Sequence, residues 1–139
     1  MSGAVTRGVT LLSETGARIA IDAAVAEARA NGWAFGIAVV DSFAELIAFH
    51  RMDGANIVTI ETAMTKAKSA ARMGMPSGRL RAMLDAGTLS VLTIPGVVPL
   101  GGGVPIMWDG AMVGAIGVSG GTLEQDLQVA EAGRNAVDG

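Results

Sequence analysis

Apolar and polar positions along this chain follow two different periods, and the switches between them mark out its elements. From Thr10 to Asn31 the spacing is helical, with Leu12, Ile19, Ala23 and Ala26 near one face and Glu14, Arg18 and Asp22 forming an opposing i,i+4 ladder. Thr10 is the predicted N-cap, and Asn31-Gly32 supplies a left-handed stop. The many alanines of this helix predict close packing against something flat, such as a sheet. Two short apolar runs follow, Phe35 to Val40 and Leu46 to Met52, separated by Asp41-Ser42-Phe43-Ala44-Glu45. They predict an antiparallel hairpin whose turn backbone is bonded by the Asp41 and Ser42 side chains.

Asn56 is the predicted cap of a helix from Ile57 to about Met73, buried along Ile60, Ala63, Met64, Ala67 and Ala71. Gly74-Met75-Pro76 ends it, and a short helix over Ser77 to Ala86 stops at Gly87. Thr88 to Pro105, rich in Gly and Pro, is expected to be a loop with one short strand. Pro105 to Trp108 and Ala111 to Val118 pair across Asp109-Gly110, a two-residue hairpin signal. Thr122 with Gln125 fits a capping box that opens the last helix. Helix, hairpin, helices, hairpin, helix describes an α+β domain and not a doubly wound nucleotide fold. At 139 residues the chain fits one domain over 1–139, with an ordered core of about 10–136.

Half of the residues are apolar and only 17% are charged. So apolar a small domain cannot hide all of its apolar surface, and a homo-oligomer is the simplest place for the remainder. Gly, Pro or charge breaks every apolar stretch before the roughly 18–20 residues that a membrane span needs. Met1-Ser2-Gly3-Ala4-Val5-Thr6-Arg7 lacks the basic start and apolar block of a signal peptide, which favours the cytoplasm. A net charge of −3 without a basic run argues against nucleic acid.

The chain has no cysteine, no tyrosine and a single histidine, His50. Disulfides, thiolate nucleophiles and zinc–cysteine sites are therefore excluded, and no metal site is expected. Arg51-Met52-Asp53-Gly54-Ala55 is the densest polar knot in an apolar stretch. Arg51 could clamp a carboxylate and Asp53 could move a proton; the structural alternative is an Arg–Asp pair closing the strand end. Glu61, with Thr65, Lys68 and Arg72 on one helix face, is a second acid/base candidate, and Lys66 a candidate anion partner. Gly101 to Pro105 and Gly114 to Gly121 are the glycine-rich elements, and the second, ending in Ser119-Gly120-Gly121, leads into a helix N-terminus whose backbone N–H groups could hold a carboxylate or phosphate. Their structural alternative is close packing of strand and helix backbones. His50 lies on the strand face opposite Arg51, either as a core or interface histidine or as a proton carrier or haem ligand. The methionines read as core filler, while Trp33 and Trp108 suit a pocket wall or an interface.

Ala38-Val39-Val40-Asp41, then Leu46 to Phe49 leading into Arg51-Met52-Asp53-Gly54-Ala55, resembles the central signature of the GlcG/HbpS-like family, related to the C-terminal domain of PduO-type proteins. Lys66 to Ala70, Gly102-Gly103-Val104-Pro105, Val113 to Gly120 and Asp126 to Ala130 fit the remaining blocks in order. The resemblance implies a profilin-like layered domain, dimers that build octamers, and members that bind haem or serve catabolic pathways. It also implies two departures: haem-binding members of the PduO kind carry a first-helix histidine that Thr10–Asn31 lacks, and Ala44 replaces a usual turn glycine.

These readings together lead to a cofactor-independent isomerase, hydratase or lyase acting on a small carboxylate or an aromatic-catabolism intermediate. Arg51 anchors the anion, Asp53 or Glu61 handles protons, and Lys66, Gly102, Gly103, Ser119, Gly120 and Gly121 contribute to binding. The alternative is a haem-binding or haem-sensing protein using His50; a third is a non-catalytic scaffold.

Overall fold

The computed structural model describes residues 5–139, so the expectation drawn from Met1 to Arg7 falls mostly outside the described residues. Helix α1 runs over Glu14–Ala30, strands β1 and β2 over Gly36–Asp41 and Leu46–Arg51, and α2 over Val58–Met73. Helix α3 (Ser77–Asp85) and a 3-10 turn (Leu89–Thr93) precede β3 (Gly103–Trp108), β4 (Ala111–Ser119) and α4 (Leu123–Asn135). The four strands form one antiparallel sheet in the order β2-β1-β4-β3.

Strand alternation divides the core into two layers. Ile37, Val39, Val104, Ile106, Ile116 and Val118 face α1 and α4, which pack against each other as well as the sheet. Ala38, Val40 and Ala115 face α2, meeting Ala63, Ala67, Ala70 and Ala71. The second layer consists largely of methyl groups, so α2 lies very close to the sheet. Glycines permit this: a Cβ on Gly117 would run into the Ala63 carbonyl and the Ala67 backbone, and one on Gly103 into the Lys66 carbonyl. For these two glycines the close-packing alternative read from the sequence holds.

Several boundaries and faces differ from expectation. Helix α1 starts four residues late because Ser13, not Thr10, caps it, its hydroxyl accepting from Gly16 N–H at 3.1 Å. Its buried face is Ala17, Ala20, Ile21, Ala24, Val25 and Ala28, while Ile19 and Ala26 are exposed. Contact with α4 selects the small residues over the larger Ile19. Asn56 does not cap α2 through its side chain; its carbonyl accepts from the Thr59 hydroxyl instead. No strand forms in Thr88 to Gly102, where the 3-10 turn stands in its place, and β3 begins at Gly103 rather than Pro105.

Both hairpins form. Asp41 Oδ1 accepts from the N–H groups of Phe43 and Glu45, and Ala44 takes the left-handed conformation (φ 64°). That conformation costs a non-glycine residue about 1–2 kcal/mol. The Ala44 methyl is buried in the α2 layer, which offsets part of the cost, while Phe43 points to solvent. Asp109 and Gly110 both have positive φ, as a type I′ turn requires. The outward N–H groups of β3 are all occupied or absent. Ser77 Oγ accepts from Gly103 N–H, Pro105 has no N–H, and Asp138 Oδ1 accepts from Met107 N–H. Gly139 then donates to the Met107 carbonyl and accepts from Asp109 N–H.

Because Gly117 has no space for a methyl, Gly117→Ala should cost about 1–3 kcal/mol in urea denaturation. Gly8, with nothing within 4 Å of an added Cβ, is the neutral control. An unchanged midpoint in Gly117→Ala would mean that α2 lifts from the sheet without penalty.

Candidate functional site

The sheet register collects most of the candidate residues at one end of the α2 face. Gly36 pairs with Arg51 on one side and Ser119 on the other, so the three form one transverse row. Thr59 of α2 fills the space above Gly36, where a Cβ would stand 2.7 Å from its hydroxyl. The row is thereby split into an outer and an inner part.

The outer part holds Arg51, Asp53 and Glu61, all exposed. Among the described residues no ion pair joins Arg51 to Asp53 or to Glu61, so the strand-closing pair read as the structural alternative does not form. The inner part is buried and tightly connected. Lys66 Nζ lies 2.8 Å from Asp126 Oδ2 and donates to the Val118 carbonyl at 3.0 Å. Asp126 Oδ1 accepts from Gly121 N–H at 2.9 Å. Lys66 is therefore not a surface cation: its anion is a carboxylate of the protein. Gly121 N–H is likewise taken by Asp126, and Thr122 N–H by the Gln125 side chain. Burial pushes the Asp126 carboxyl above its ordinary value, against the opposing pull of the Lys66 and Gly121 hydrogen bonds and the Lys66 charge.

Gly102 roofs this pair. It sits at φ 115°, and a Cβ there would stand 3.1 Å from Lys66 Nζ and 2.7 Å from the Val118 carbonyl. A groove of about 350 Å³ adjoins the Gly101-Gly102 loop, with Pro76, Gly78 and Arg79 on its wall. The Ser119 residue is 7% exposed, and its hydroxyl has no hydrogen-bond partner among the described residues.

The opposite face of the sheet carries His50. It pairs with Ile37, whose side chain faces the α1 layer, which agrees with the expected placement opposite Arg51. Half-buried His50 lines a groove of about 340 Å³ between β2 and α1, with Arg18, Ile21, Asp22, Ile47 and Phe49. The polar ladder of α1, Glu14, Arg18 and Asp22, thus forms one wall of the histidine groove. Of the two tryptophans, Trp33 stacks on Phe35 at 5.5 Å and Trp108 is 52% exposed. Among the described residues no group of three or more His, Cys, Asp or Glu residues could hold a metal ion. No described helix is long and apolar enough to cross a membrane.

Asp126 and Arg18 are the residues that sequence reasoning missed as parts of sites. The Lys66–Asp126 contact spans 60 positions and has no local signature. Lys66 itself was detectable, since it stands three residues after Ala63 and four before Ala70, on the buried stripe.

An antiparallel four-stranded sheet with two helices on one face and a closely seated helix on the other is a layered α+β domain. The family described as haem degrading protein HbpS-like matches residues 12–135, and the chain belongs to it. Protein GlcG of Escherichia coli (strain K12) is 38% identical over 109 residues, covering 78% of this chain and 81% of GlcG. The crystal structure of a Streptomyces reticuli HbpS double mutant has a TM-score of 0.89 at 32% identity, covering all of this chain and 94% of HbpS. The crystal structure of a PduOC–haem complex has a TM-score of 0.84 at 29% identity, over 92% of this chain and 96% of PduOC.

The buried pair can be dissected by mutation. Lys66→Met leaves the Asp126 carboxylate buried without its cation and should cost about 3–5 kcal/mol. Adding Asp126→Leu should restore much of that loss in chemical denaturation. A double mutant as unstable as the sum of both singles would show that the two residues act independently.

Proposed function

We propose that this chain binds haem in the groove between α1 and β2, with His50 as the side-chain ligand of the iron. The observation that carries the reading is the placement of the chain's one imidazole, half-buried on the face of β2 turned toward α1. The likeness to a PduOC–haem complex and to HbpS supports it. Haem therefore stands ahead of the small-carboxylate enzyme as the reading of function. The histidine missing from the first helix has a substitute in the strand that faces it.

The residues present suit such a ligand in most respects. His50 supplies an imidazole nitrogen, Ile21, Ile47 and Ala48 an apolar wall, and Arg18 a guanidinium for a propionate. Glu14 and Asp22, in the same groove, disfavour an anion and leave Arg18 as its partner there. Bound haem would supply the redox chemistry of iron; the chain's own residues would hold, orient and partly shield it. At about 340 Å³ the groove is near the lower limit of roughly 300–1,000 Å³ for ligand pockets, so a macrocycle would project from it.

That projection, with exposed Ile57, Val58, Leu89 and Leu92 elsewhere, supports the further reading that the protein is a homo-oligomer. Light scattering should return a multiple of the 14.0 kDa chain mass, and a monomer at micromolar concentration would remove this reading.

Titration of the purified protein with haemin should give a saturable Soret shift near one haem per chain. His50→Ala should abolish or displace that shift while leaving the far-UV circular dichroism unchanged. An identical Soret spectrum and affinity in His50→Ala would exclude His50 as the ligand.

A further inference from the structure

We propose that two copies of this chain join along the outer edges of their β2 strands, antiparallel and with Phe49 against Phe49, an inference that rests on the homo-oligomer reading and names the surface that makes the contact. The direction of the backbone groups carries it. Met52 N–H donates to the Phe35 carbonyl, so Met52 turns its backbone toward β1. Alternation along an antiparallel strand turns His50 and Ala48 the same way, and Phe49 and Arg51 outward. The register with β1 is regular from Ala48 to Arg51, its one shift falling between Ala48 and Leu46. Among the described residues no strand or loop bonds the outward groups of Phe49 and Arg51.

A row of unpaired backbone groups is a template for another strand, and natural edges are commonly blunted with Lys or Pro. Leu46 to His50 contains neither. The flanking side chains point to a second copy as the occupant. On the α2 face, Phe49 and Met64 are only partly buried, and Leu46, which pairs with Val40 of that layer, is 46% exposed. A twofold axis through Phe49, perpendicular to the sheet, brings the two Phe49 rings together as a cross-strand aromatic pair and shields these residues in both copies.

The charges at the strand ends agree with the same axis. Exposed Glu45 immediately precedes β2 and exposed Arg51 ends it. Antiparallel pairing carries the basic end of each strand toward the acidic end of the other, within diagonal reach of long side chains. In both apolar surface and charge this strand is complementary to itself, as a twofold contact requires. On the α1 face, the register sets Ala48 of one copy opposite His50 of the other, so the two histidine grooves meet at the interface.

Amide hydrogen exchange of the unmodified protein reads this edge directly. The Phe49 and Arg51 amides, unbonded within one chain, should exchange about a hundredfold more slowly than free amides because the second copy holds them. Arg51→Pro removes an outward N–H and no bond within the chain, a position where an edge strand tolerates proline. It should keep the far-UV circular dichroism and weaken association about tenfold in a light-scattering dilution series. An oligomeric protein whose Phe49 and Arg51 amides exchange as fast as free ones would overturn the proposal and leave the homo-oligomer reading standing. So would a folded Arg51→Pro variant that assembles as the wild type does. A wild type that is monomeric throughout would remove both readings.

Discussion

The close seating of α2 on the sheet is the constraint on which the rest of the molecule depends. Ala63 and Ala67 meet a strand surface kept bare by Gly117, and the Lys66 carbonyl occupies the place of a Gly103 side chain. Methyl-sized contacts bury little area each, but they bring backbones within van der Waals reach over the length of the helix. This proximity carries the Lys66 side chain to the end of β4 and the start of α4. A helix held farther off by leucines could not place an ammonium 2.8 Å from Asp126.

The two faces of the sheet have different chemistry as a result. The α2 face ends in a desolvated ion pair roofed by a glycine loop. Such a pair is an uncertain source of net stability, because desolvation consumes most of the Coulombic gain. Its effect on geometry is clear: it ties α2, β4 and α4 together at one point. The α1 face offers an imidazole and a guanidinium in a groove whose walls mix apolar residues with Glu14 and Asp22. One chain thus presents a buried ion pair on one side of its sheet and a half-buried imidazole on the other.

Much of the fold was legible because it is written locally. Hydrophobic period distinguished helices from strands, Asp109-Gly110 fixed a type I′ hairpin, and Thr122 with Gln125 formed the predicted capping box. The misread face of α1 has a specific cause. Hydrophobicity favours Ile19 as a core residue, whereas the buried stripe runs through Ala17, Ala20, Ile21, Ala24, Val25 and Ala28, with Ala20 and Ala24 against Gly133 of α4. The candidate site was less legible because it depends on sheet register. Arg51 and Ser119 are 68 positions apart and share a row only through Gly36. The sequence separation of Lys66 and Asp126 concealed the fact that each satisfies the other.

The closure of β3 sets a limit on how copies of this chain can join. Ser77, Asp138 and Gly139 occupy the outward N–H groups of Gly103 and Met107 and the Met107 carbonyl, and Pro105 has no N–H to offer a neighbour, whereas among the described residues nothing pairs with the outer side of β2. A sheet with two open edges can add strands from copy to copy without end and grow into a fibre. With one edge closed, strand-to-strand joining stops after two chains. A protein this rich in apolar residues is thereby protected from polymerising through its own sheet.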